Sequence, residues 1–436
     1  AQALILDAAT TGAITADITE GDLMTLIALT DANGNNALTI TLTDTSADAV
    51  DLNTVAAITS VIVDATAVTA ITGPADAIVA VAQSNGITTA TNYTATVDSG
   101  TATVSQALIL DAATTGAITA DIKEGDLTTL TALADANGNN ALTITVTDTS
   151  ADAADLNTVA TITSVTIDAT AVMTIAGTAD TIVTVAQSDG ITTATNYAAT
   201  VDSGTATVAQ ALILDAATTG AITADIREGD LATLTTLTDA NGNNALTITV
   251  TDPSADTVDL NTVAAITSIP VDATSVTMIT GSAATIIAAS QSDSIMTATN
   301  YAATVTDPDG VSVAAMALAT LGASTTGTVT VSNAVEISGS VSEIIAALAT
   351  DATKVVLTGN ANVTASDVDG ASDLSGVDPL GTLTAQLAND VDISGNINLA
   401  NVENISINNG ASVRMTTAQN ALITSAAGTN TVTLSN

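Results

Sequence analysis

The stretch TDANGNNALTITLTD, residues 30–44, returns almost unchanged as DANGNNALTITVTD at residues 135–148 and again at 239–252. Asn and Gly at its start are the residues that tight turns favour. After them Thr alternates with apolar residues, as expected for a strand with one buried face. The stretch therefore predicts a repeat protein in which a turn leads into a core strand once in every copy.

The repeat has a period of 104 residues. Its opening segment, QALILDAATTGAITADI, begins at Gln2, Gln106 and Gln210. We assign three solenoid super-repeats, at residues 2–105, 106–209 and 210–305, and a divergent C-terminal solenoid segment at residues 306–436. Because the first super-repeat opens within the pattern, we expect the chain to be a piece, or a processed product, of a longer protein.

Each super-repeat divides into quarters of about 26 residues. Apolar residues at helical spacing behind acidic residues predict three short helices, at Glu20–Leu29, Ala47–Ile58 and Pro74–Gln83, with Pro74 at a first helical position. Alternating β-branched stretches predict strands at Ala37–Thr43, Ser60–Asp64, Val68–Thr72, Thr94–Val97 and Thr101–Leu110. The fourth quarter is predicted to be strand and turn, without a helix.

A unit of one strand and one short helix cannot bury its apolar face alone, so neighbouring units must stack. The sequence therefore predicts an elongated repeat protein, a β-solenoid (β-helix-like) with short α-helices in many coils. Helices need about 10 Å between axes and strands about 4.8 Å. We therefore expect curvature, staggering or helix-free coils between the helices.

The core must be built from small side chains. Apolar residues make up 47% of the 436 residues, yet there is no Phe, Trp or Cys and there are only three Tyr. Ala, Val, Ile, Leu and Thr methyls suit thin layers stacked many times. The tyrosines, Tyr93, Tyr197 and Tyr301, are one period apart, and we interpret them as local plugs or interface contacts.

The formal net charge is −41, and 39 of the 45 acidic residues are Asp. Only Lys123, Arg227, Lys354 and Arg414 oppose this charge. A nucleic-acid partner is excluded because phosphate binding needs basic patches. The acidic side chains repel one another unless salt or divalent cations screen them. This requirement favours a saline, calcium-containing medium outside the cell. Direct membrane insertion is not expected, because the longest uncharged run, Gly310–Val335, is rich in Thr, Ser and Gly.

The residue types exclude most catalytic chemistry. Without His or Cys there is no Ser-His-Asp triad, no thiol nucleophile and no soft metal site. The chain contains no lysine-bearing phosphate loop. Acidic pairs of the glycosidase kind would lack the aromatic platforms that sugars need. We predict that the protein is not an enzyme.

Calcium is the one cofactor that the sequence suggests. DANGN has the D-x-N-x-N spacing that lets alternate oxygens face one cation, and DPDG and DVDG are shorter versions. The candidate ligands are Asp31, Asn33, Asn35, Asp135, Asn137, Asn139, Asp239, Asn241, Asn243, Asp307, Asp309, Asp367 and Asp369. The alternative is that Asp, Asn and Gly only build the tight turn, because the closing bidentate Glu of a calcium loop is missing.

The alternating threonines also have two interpretations. Thr39, Thr41 and Thr43 form one face of the predicted strand, and a solvent-facing row is the ordinary case. Ranks of Thr on a flat face could also order water and bind ice. That function needs the pattern in nearly every coil, whereas here it is strong only once in 104 residues.

Residues 43–87, TDTSADAVDLNTVAAITSVIVDATAVTAITGPADAIVAVAQSNGI, resemble a repeat of giant bacterial surface proteins of the cyanobacterial haemolysin type and the cell-surface motility type. The matching residues are Asp44, Asp51, Leu52, Asn53, Asp64, Ala65, Thr72, Gly73, Ala75 and Asp76. The resemblance covers the super-repeats well and the C-terminal third only in its general pattern. It implies an extracellular, rod-like or fibrous role and carries no catalytic residue. The nonapeptide GGxGxDxUx that often accompanies such proteins is absent, which weakens transfer of its calcium chemistry.

The sequence as a whole predicts a structural protein at the cell surface or outside the cell. We expect a subunit or segment of a filament, sheath or layer that assembles with copies of itself. The alternative is the stalk or ligand-binding region of a giant calcium-dependent adhesin. An adhesin should carry a distinct, less repetitive tip, and this sequence shows none.

Overall fold

A computed structural model describes residues 1–349 and 354–435 of the chain. The chain forms two compact units, residues 1–223 and 224–436. Both units are α/β, with short helices between short strands that pair in parallel. Among the described residues, no helix is long and apolar enough to cross a membrane.

The first unit repeats a pattern of two short strands and a helix. Its helices are α1 Gln2–Ala9, α2 Leu23–Leu26, α3 Ala49–Ala57, α4 Ala75–Ala82, α5 Val104–Ala113, α6 Leu127–Leu130, α7 Ala153–Ala160, α8 Ala179–Ala186 and α9 Val208–Ala217. Its strands are β1 Thr15–Asp17, β2 Ala37–Thr39, β3 Ser46–Asp48, β4 Val63–Ala65, β5 Ala70–Pro74, β6 Ile87–Thr89, β7 Thr94–Ser99, β8 Ile118–Asp121, β9 Ala141–Thr143, β10 Ser150–Asp152, β11 Ile167–Ala169, β12 Thr174–Thr178, β13 Ile191–Thr193 and β14 Ala198–Ser203, with β15 Ile222–Asp225 at the boundary.

The second unit continues the pattern and then loses its longer helices. Its helices are α10 Leu231–Leu234, α11 Thr257–Ala264, α12 Ala283–Ser290, α13 Ala315–Ser324, α14 Val341–Leu348 and α15 Thr417–Asn420, with a 3-10 turn at Ile397–Leu399. Its strands are β16 Ala245–Thr247, β17 Ser254–Asp256, β18 Val271–Ala273, β19 Met278–Gly281, β20 Ile295–Thr297, β21 Ala302–Val305, β22 Ser312–Ala314, β23 Val329–Val331, β24 Glu336–Ser340, β25 Val355–Leu357, β26 Asn362–Val368, β27 Leu383–Leu387, β28 Val391–Asp392, β29 Asn404–Ile407, β30 Ser412–Thr416, β31 Ile423–Ala426 and β32 Thr431–Ser435.

Paired strands are neighbours in the repeat and not in the chain: α3 and β4 lie between β3 and its partner β5. Ser46 pairs with Ala70 and Ala70 with Thr94, so successive partners are 24 residues apart. We call the residues from one paired position to the next a coil. The sheets follow this order, as in β3-β5-β7-β8-β9 of the first unit and β17-β19-β21-β23-β25 of the second. Neighbours in the sheet therefore come from neighbouring coils of the sequence.

The core is made of aliphatic rows, as the composition predicts. Leu38, Ile40 and Leu42 are buried, and the threonines that alternate with them face solvent. This confirms the predicted inner and outer faces, although the strand β2 ends at Thr39 and not at the predicted Thr43, with an isolated bridge from Thr41 to Asp64. Tyr93, Tyr197 and Tyr301 are fully buried, which agrees with their interpretation as plugs.

The helices contact one another directly from coil to coil. Helix α3 packs on α4, and α4 packs on α5. Asn53 strengthens the first contact, because its Nδ2 donates to the Ala77 carbonyl oxygen at 2.9 Å. Since three consecutive coils carry helices in contact, helix-free coils are not needed to separate them.

The prediction of a helix-free fourth quarter is wrong. The segment Thr101–Leu110, predicted as a strand, contains the start of α5. A capping box begins this helix: Thr103 Oγ1 accepts the Gln106 N–H, and Gln106 Oε1 accepts the Thr103 N–H. Val104, Ala107 and Leu110 then face the core at helical spacing. Helices α9 and α13 occupy the corresponding places in later copies.

Two predicted helix boundaries also need correction. The segment Glu20–Leu29 contains only the four-residue α2, which Asp22 caps. A Cβ on Gly21 would come within 2.6 Å of the Thr43 side chain, so the chain before α2 runs close to the segment that follows β2 instead of forming a helical turn. Pro74 is the last residue of β5 and the N-cap of α4, not its first helical residue. In the C-terminal segment, helix α14 is followed by strand β25, and residues 350–353 between them lie outside the described residues.

Candidate functional site

The DANGN turn uses its acidic residue to bind backbone amides. Asp31 Oδ1 accepts the Gly34 N–H at 2.8 Å, and Asp31 Oδ2 accepts the Asn36 N–H at 2.9 Å. Gly34 has φ of 71°, the left-handed conformation that glycine adopts without strain. These amide bonds stabilise the carboxylate and lower the pKa of Asp31, with the Asn36 N–H as the largest cause.

The two Asn side chains of the turn reach across to another loop. Asn33 Nδ2 is 3.5 Å from the Thr10 carbonyl oxygen, and Asn35 Nδ2 is 3.3 Å from that of Thr11. Their amide nitrogens are thus engaged between coils. The residues that resemble a D-x-N-x-N calcium-ligand set therefore also hold this turn to the loop at Thr10 and Thr11.

The second and third copies repeat this geometry. Asp135 accepts the Gly138, Asn139 and Asn140 N–H groups at 2.8, 3.2 and 3.1 Å, while Asn137 and Asn139 donate to the carbonyl oxygens of Thr114 and Thr115. Asp239 accepts the N–H groups of Gly242, Asn243 and Asn244, and Asn241 is exposed.

A buried polar pair lies beneath the turn. Asn36 is 2% exposed; its Nδ2 donates to Asp7 Oδ1 at 3.0 Å, and its Oδ1 accepts the Ile14 N–H at 3.1 Å. Thr30 Oγ1 donates to Asp7 Oδ2 at 2.6 Å, and this bond is the first cause of the lowered pKa of Asp7. This pair was not predicted from the sequence. A single acidic residue in the apolar segment LILDAA was the available signal.

The two acidic residues of each shorter motif lie in different surroundings. In DPDG, Asp307 Oδ2 accepts the Ala283 N–H at the start of α12, whereas Asp309 Oδ1 accepts the Ala334 N–H, both at 2.8 Å. In DVDG, Asp367 is exposed at a register shift of β26 with φ of 58°. Asp369 accepts the Ser372 hydroxyl at 2.8 Å, which is the first cause of its lowered pKa.

Calcium at these turns stays a prediction. Within residues 1–349 and 354–435, no group of three or more His, Cys, Asp or Glu side chains could hold a metal ion. The carboxylate oxygens of Asp31 and Asp135, which a cation would use, already accept backbone N–H groups. The contacts that are present build turns and join coils.

Acidic side chains also cap helices of neighbouring coils. Asp44 Oδ2 accepts the Leu23 N–H at 2.8 Å, and Glu124 Oε2 accepts the Val104 N–H at 3.0 Å. Both bonds place a carboxylate on the first residue of a helix, where unpaired N–H groups attract negative charge. These acidic residues therefore stabilise the starts of helices.

A third group of acidic residues closes D-x-T turns. Asp64 Oδ1 accepts both the N–H and the hydroxyl of Thr66, at 3.0 and 2.7 Å. Asp168 and Asp272 repeat this contact one period apart with Thr170 and Thr274. The hydroxyl bond is in each case the first cause of the lowered pKa of the carboxyl.

Threonine hydroxyls bridge coils where strands do not pair. Thr59 Oγ1 donates to the Leu38 carbonyl oxygen and accepts the Leu38 N–H, each at 2.8 Å. Thr114 Oγ1 donates to the carbonyl oxygen of Tyr93 at 2.5 Å. Successive coils are therefore bonded through side chains as well as through their strands.

No protein-family model, no curated protein and no solved structure matches the chain.

Proposed function

We propose that the chain is an extracellular structural protein, a subunit or segment of a surface filament, sheath or layer assembled from stacked β-solenoid coils. The observation that carries this proposal is the bonding between successive coils. Parallel strands at 24-residue spacing, direct contacts between helices and side-chain bonds such as Asn53 to Ala77 all join one coil to its neighbour. Stacking of this kind suits mechanical continuity.

The side-chain chemistry supports a structural role. Acidic residues such as Asp31, Asp44 and Asp64 accept hydrogen bonds from backbone amides in turns and helix caps. A chain with neither His nor Cys offers few groups for acid–base or nucleophilic catalysis. We do not propose an enzymatic activity.

The large negative charge favours a location in which the surrounding medium is rich in cations. A net charge of −41 repels neighbouring copies at low ionic strength, and salt or calcium would screen it. The resemblance of residues 43–87 to repeats of giant bacterial surface proteins favours the same location. A calcium-dependent adhesin stalk would use the same coils, with binding residues in a part of a longer protein.

Electron microscopy of the purified chain tests this function. We expect regular filaments or sheets at about 0.15 M salt with millimolar calcium, because the charge is then screened over about 8 Å. Transfer to low salt with a chelator should loosen them. Isolated rods under both conditions would favour the adhesin stalk, and compact isolated particles would contradict the stacked-coil proposal.

A further inference from the structure

The super-repeats contain four Asn–Gly pairs in two kinds of surroundings. Three are in the DANGN turns, at Asn33–Gly34, Asn137–Gly138 and Asn241–Gly242, and the fourth is Asn85–Gly86, shortly after α4. All four Asn side chains are exposed. Asn is a thermolabile residue, and a following glycine has no Cβ to keep the Asn side chain away from the next backbone nitrogen. The same reactive pair therefore occurs in four exposed turns.

Deamidation is the reaction that such a pair undergoes. The glycine nitrogen loses its proton to solvent and attacks Cγ of the asparagine, so that a C–N bond forms and the bond from Cγ to Nδ2 breaks. Nδ2 takes a proton from water and leaves as ammonia. Water then opens the resulting five-membered imide at one of its two carbonyl carbons and gives aspartate or isoaspartate. Loss of the glycine proton therefore comes before the attack.

In the DANGN turns a carboxylate holds this proton. The glycine N–H donates to Oδ1 of Asp31, Asp135 and Asp239 in the three copies, at 2.8 Å each time. A negative charge this close disfavours an anionic nitrogen, and the hydrogen bond must break before the nitrogen can attack. The surroundings of these three pairs therefore oppose deamidation.

The fourth pair has a neutral acceptor instead. The Gly86 N–H donates to Ser84 Oγ at 3.0 Å, so the oxygen that holds its proton carries no charge. A Cβ on Gly86 would have the same Ser84 Oγ as its nearest neighbour, at 3.5 Å. The Gly86 nitrogen therefore loses its proton more easily than the glycine nitrogens of the DANGN turns.

The equivalent positions of the later copies already carry the product residue. Asn85 corresponds to Asp189 and Asp293, one and two periods later. The turn keeps its form with Asp in place, because the Gly190 N–H donates to Ser188 Oγ at 3.1 Å. Conversion of Asn85 to aspartate is therefore compatible with the fold.

We propose that Asn85 is a site of spontaneous deamidation, and that the Asp of each DANGN turn protects its Asn–Gly pair from the same reaction. Conversion at Asn85 adds negative charge to an exposed turn. Conversion in the first DANGN turn would weaken a contact between loops: Asn33 Nδ2 faces the Thr10 carbonyl oxygen at 3.5 Å, and an aspartate oxygen there would meet a second acceptor. Neither part of the proposal depends on the proposed function.

The first test variant of the full chain removes a protecting charge. Asp135→Asn keeps a side-chain oxygen beside the Gly138 N–H but makes it neutral, so Asn137 should deamidate faster. The unchanged turns at Asn33 and Asn241 are matched controls within the same molecule.

The second variant adds a protecting charge. Ser84→Asp supplies a carboxylate to the Gly86 N–H, so Asn85 should deamidate more slowly. An Asp can make this bond, because Asp64 Oδ1 accepts the N–H of Thr66, also two residues further on, at 3.0 Å. Ser84→Ala, which supplies no acceptor, is the control for loss of the serine and should not slow the reaction.

The measurement is the rate of deamidation at each Asn in mildly alkaline buffer, followed by peptide mapping with mass spectrometry. Chain unfolded in urea gives the reference rate of each pair, and circular dichroism verifies folding of the variants. Relative to these references, we expect Asn85 to react more than about tenfold faster than Asn33 in the folded chain. Asp135→Asn and Ser84→Asp should each change the rate of their own pair by about tenfold, in opposite directions.

Two results would overturn the proposal. Absence of conversion at Asn85 in the folded chain would remove the modification site. Equal relative rates at Asn85 and Asn33 in the unmodified chain, or unchanged rates at Asn137 in Asp135→Asn and at Asn85 in Ser84→Asp, would remove the protecting role of the carboxylate. The comparison within the unmodified chain stands even where a variant fails to fold.

Discussion

The hydroxyl of Tyr301 lies 2.7 Å from the hydroxyl of Ser324, inside the core of the second unit. Ser324 ends α13, directly before Thr325, whose Oγ1 donates to the Tyr301 carbonyl oxygen. Ala113 and Ala217 hold the corresponding places at the ends of α5 and α9. There the hydroxyls of Tyr93 and Tyr197 are buried and have no hydrogen-bond partner among the residues that the structure describes.

Supplying the missing partner should stabilise the first unit. We expect Ala113→Ser to raise the free energy of unfolding by about 1 kcal/mol, because it satisfies a buried hydroxyl. Tyr93→Phe should be neutral or slightly stabilising. Tyr301→Phe, which removes a hydroxyl that has a partner, should cost about 1 kcal/mol. Urea unfolding with hydrogen exchange at each tyrosine measures these effects; equal costs at both tyrosines would contradict the assignment.

The buried amide of Asn140 should be more important than the exposed amide of Asn139. Asn140 is 1% exposed, donates to Asp111 Oδ1 at 3.0 Å and accepts the Ile118 N–H at 3.0 Å. Asn140→Ala leaves both partners unsatisfied and should cost about 2–3 kcal/mol. Asn139→Ala loses one exposed bond to Thr115 and should cost less than about 1 kcal/mol. Comparison of urea midpoints measures the difference, and equal costs would refute it.

Acid should weaken the D-x-T turns. The Thr66 hydroxyl lowers the pKa of Asp64 below its ordinary value of 3.8, as bonds to Thr170 and Thr274 do for Asp168 and Asp272. A carboxyl whose pKa is lowered by folding adds stability above its ordinary pKa. That stability is lost as the pH falls through the lowered folded value.

The measurement is the pH dependence of thermal stability between about pH 5 and 2 for the unmodified chain and Thr66→Val. Protonation also reduces repulsion among the acidic residues in both proteins. The quantity to compare is therefore the difference in thermal stability between the unmodified chain and Thr66→Val at each pH. We expect the variant to be less stable at pH 5 and the gap to close below the ordinary pKa of 3.8. Thr39→Val, on the exposed face of β2, is the control. A gap that stays constant with pH would exclude the turn as its cause.

Calcium binding separates the two interpretations of DANGN. If the turn holds calcium, Asp135→Ala should remove one bound ion per chain in equilibrium dialysis, and chelation should destabilise the unmodified protein more than the variant. If the carboxylate only binds the amides of Gly138, Asn139 and Asn140, the variant should lose the same stability with and without chelator. Asp98→Ala, at an acidic residue outside the candidate set, is a control for general charge effects.

The sequence was sufficient to predict the features that depend on local pattern. The Thr face, the aliphatic rows around Leu38 and Ile40, and the helices near α3 and α4 follow from alternation, acidic caps and helical spacing. Helix α5 escaped prediction because β-branched residues before it hide the capping box of Thr103 and Gln106. The local propensity of this segment favours a strand, but the segment forms a helix that packs against α4.

The candidate site was predictable only in part, because its bonds join distant residues. The pattern D-x-N-x-N marks Asp31, but it does not reveal that Asn33 and Asn35 reach the carbonyl oxygens of Thr10 and Thr11 in the coil before. The same holds for Asn36 and Asp7, which are 29 residues apart. The D-x-N-x-N spacing is compatible with a calcium site and with a tight turn, and the sequence does not reveal the hydrogen-bond partners that distinguish them.

The 24-residue spacing of paired strands has a consequence for how the chain folds. Every strand of a sheet after the first meets a partner that has already left the ribosome, so its pairing does not require closure of a long loop. Folding can advance at the pace of translation, one coil on the last. Duplication or loss of 104 residues by recombination would then change the length of the protein without requiring a new folding route.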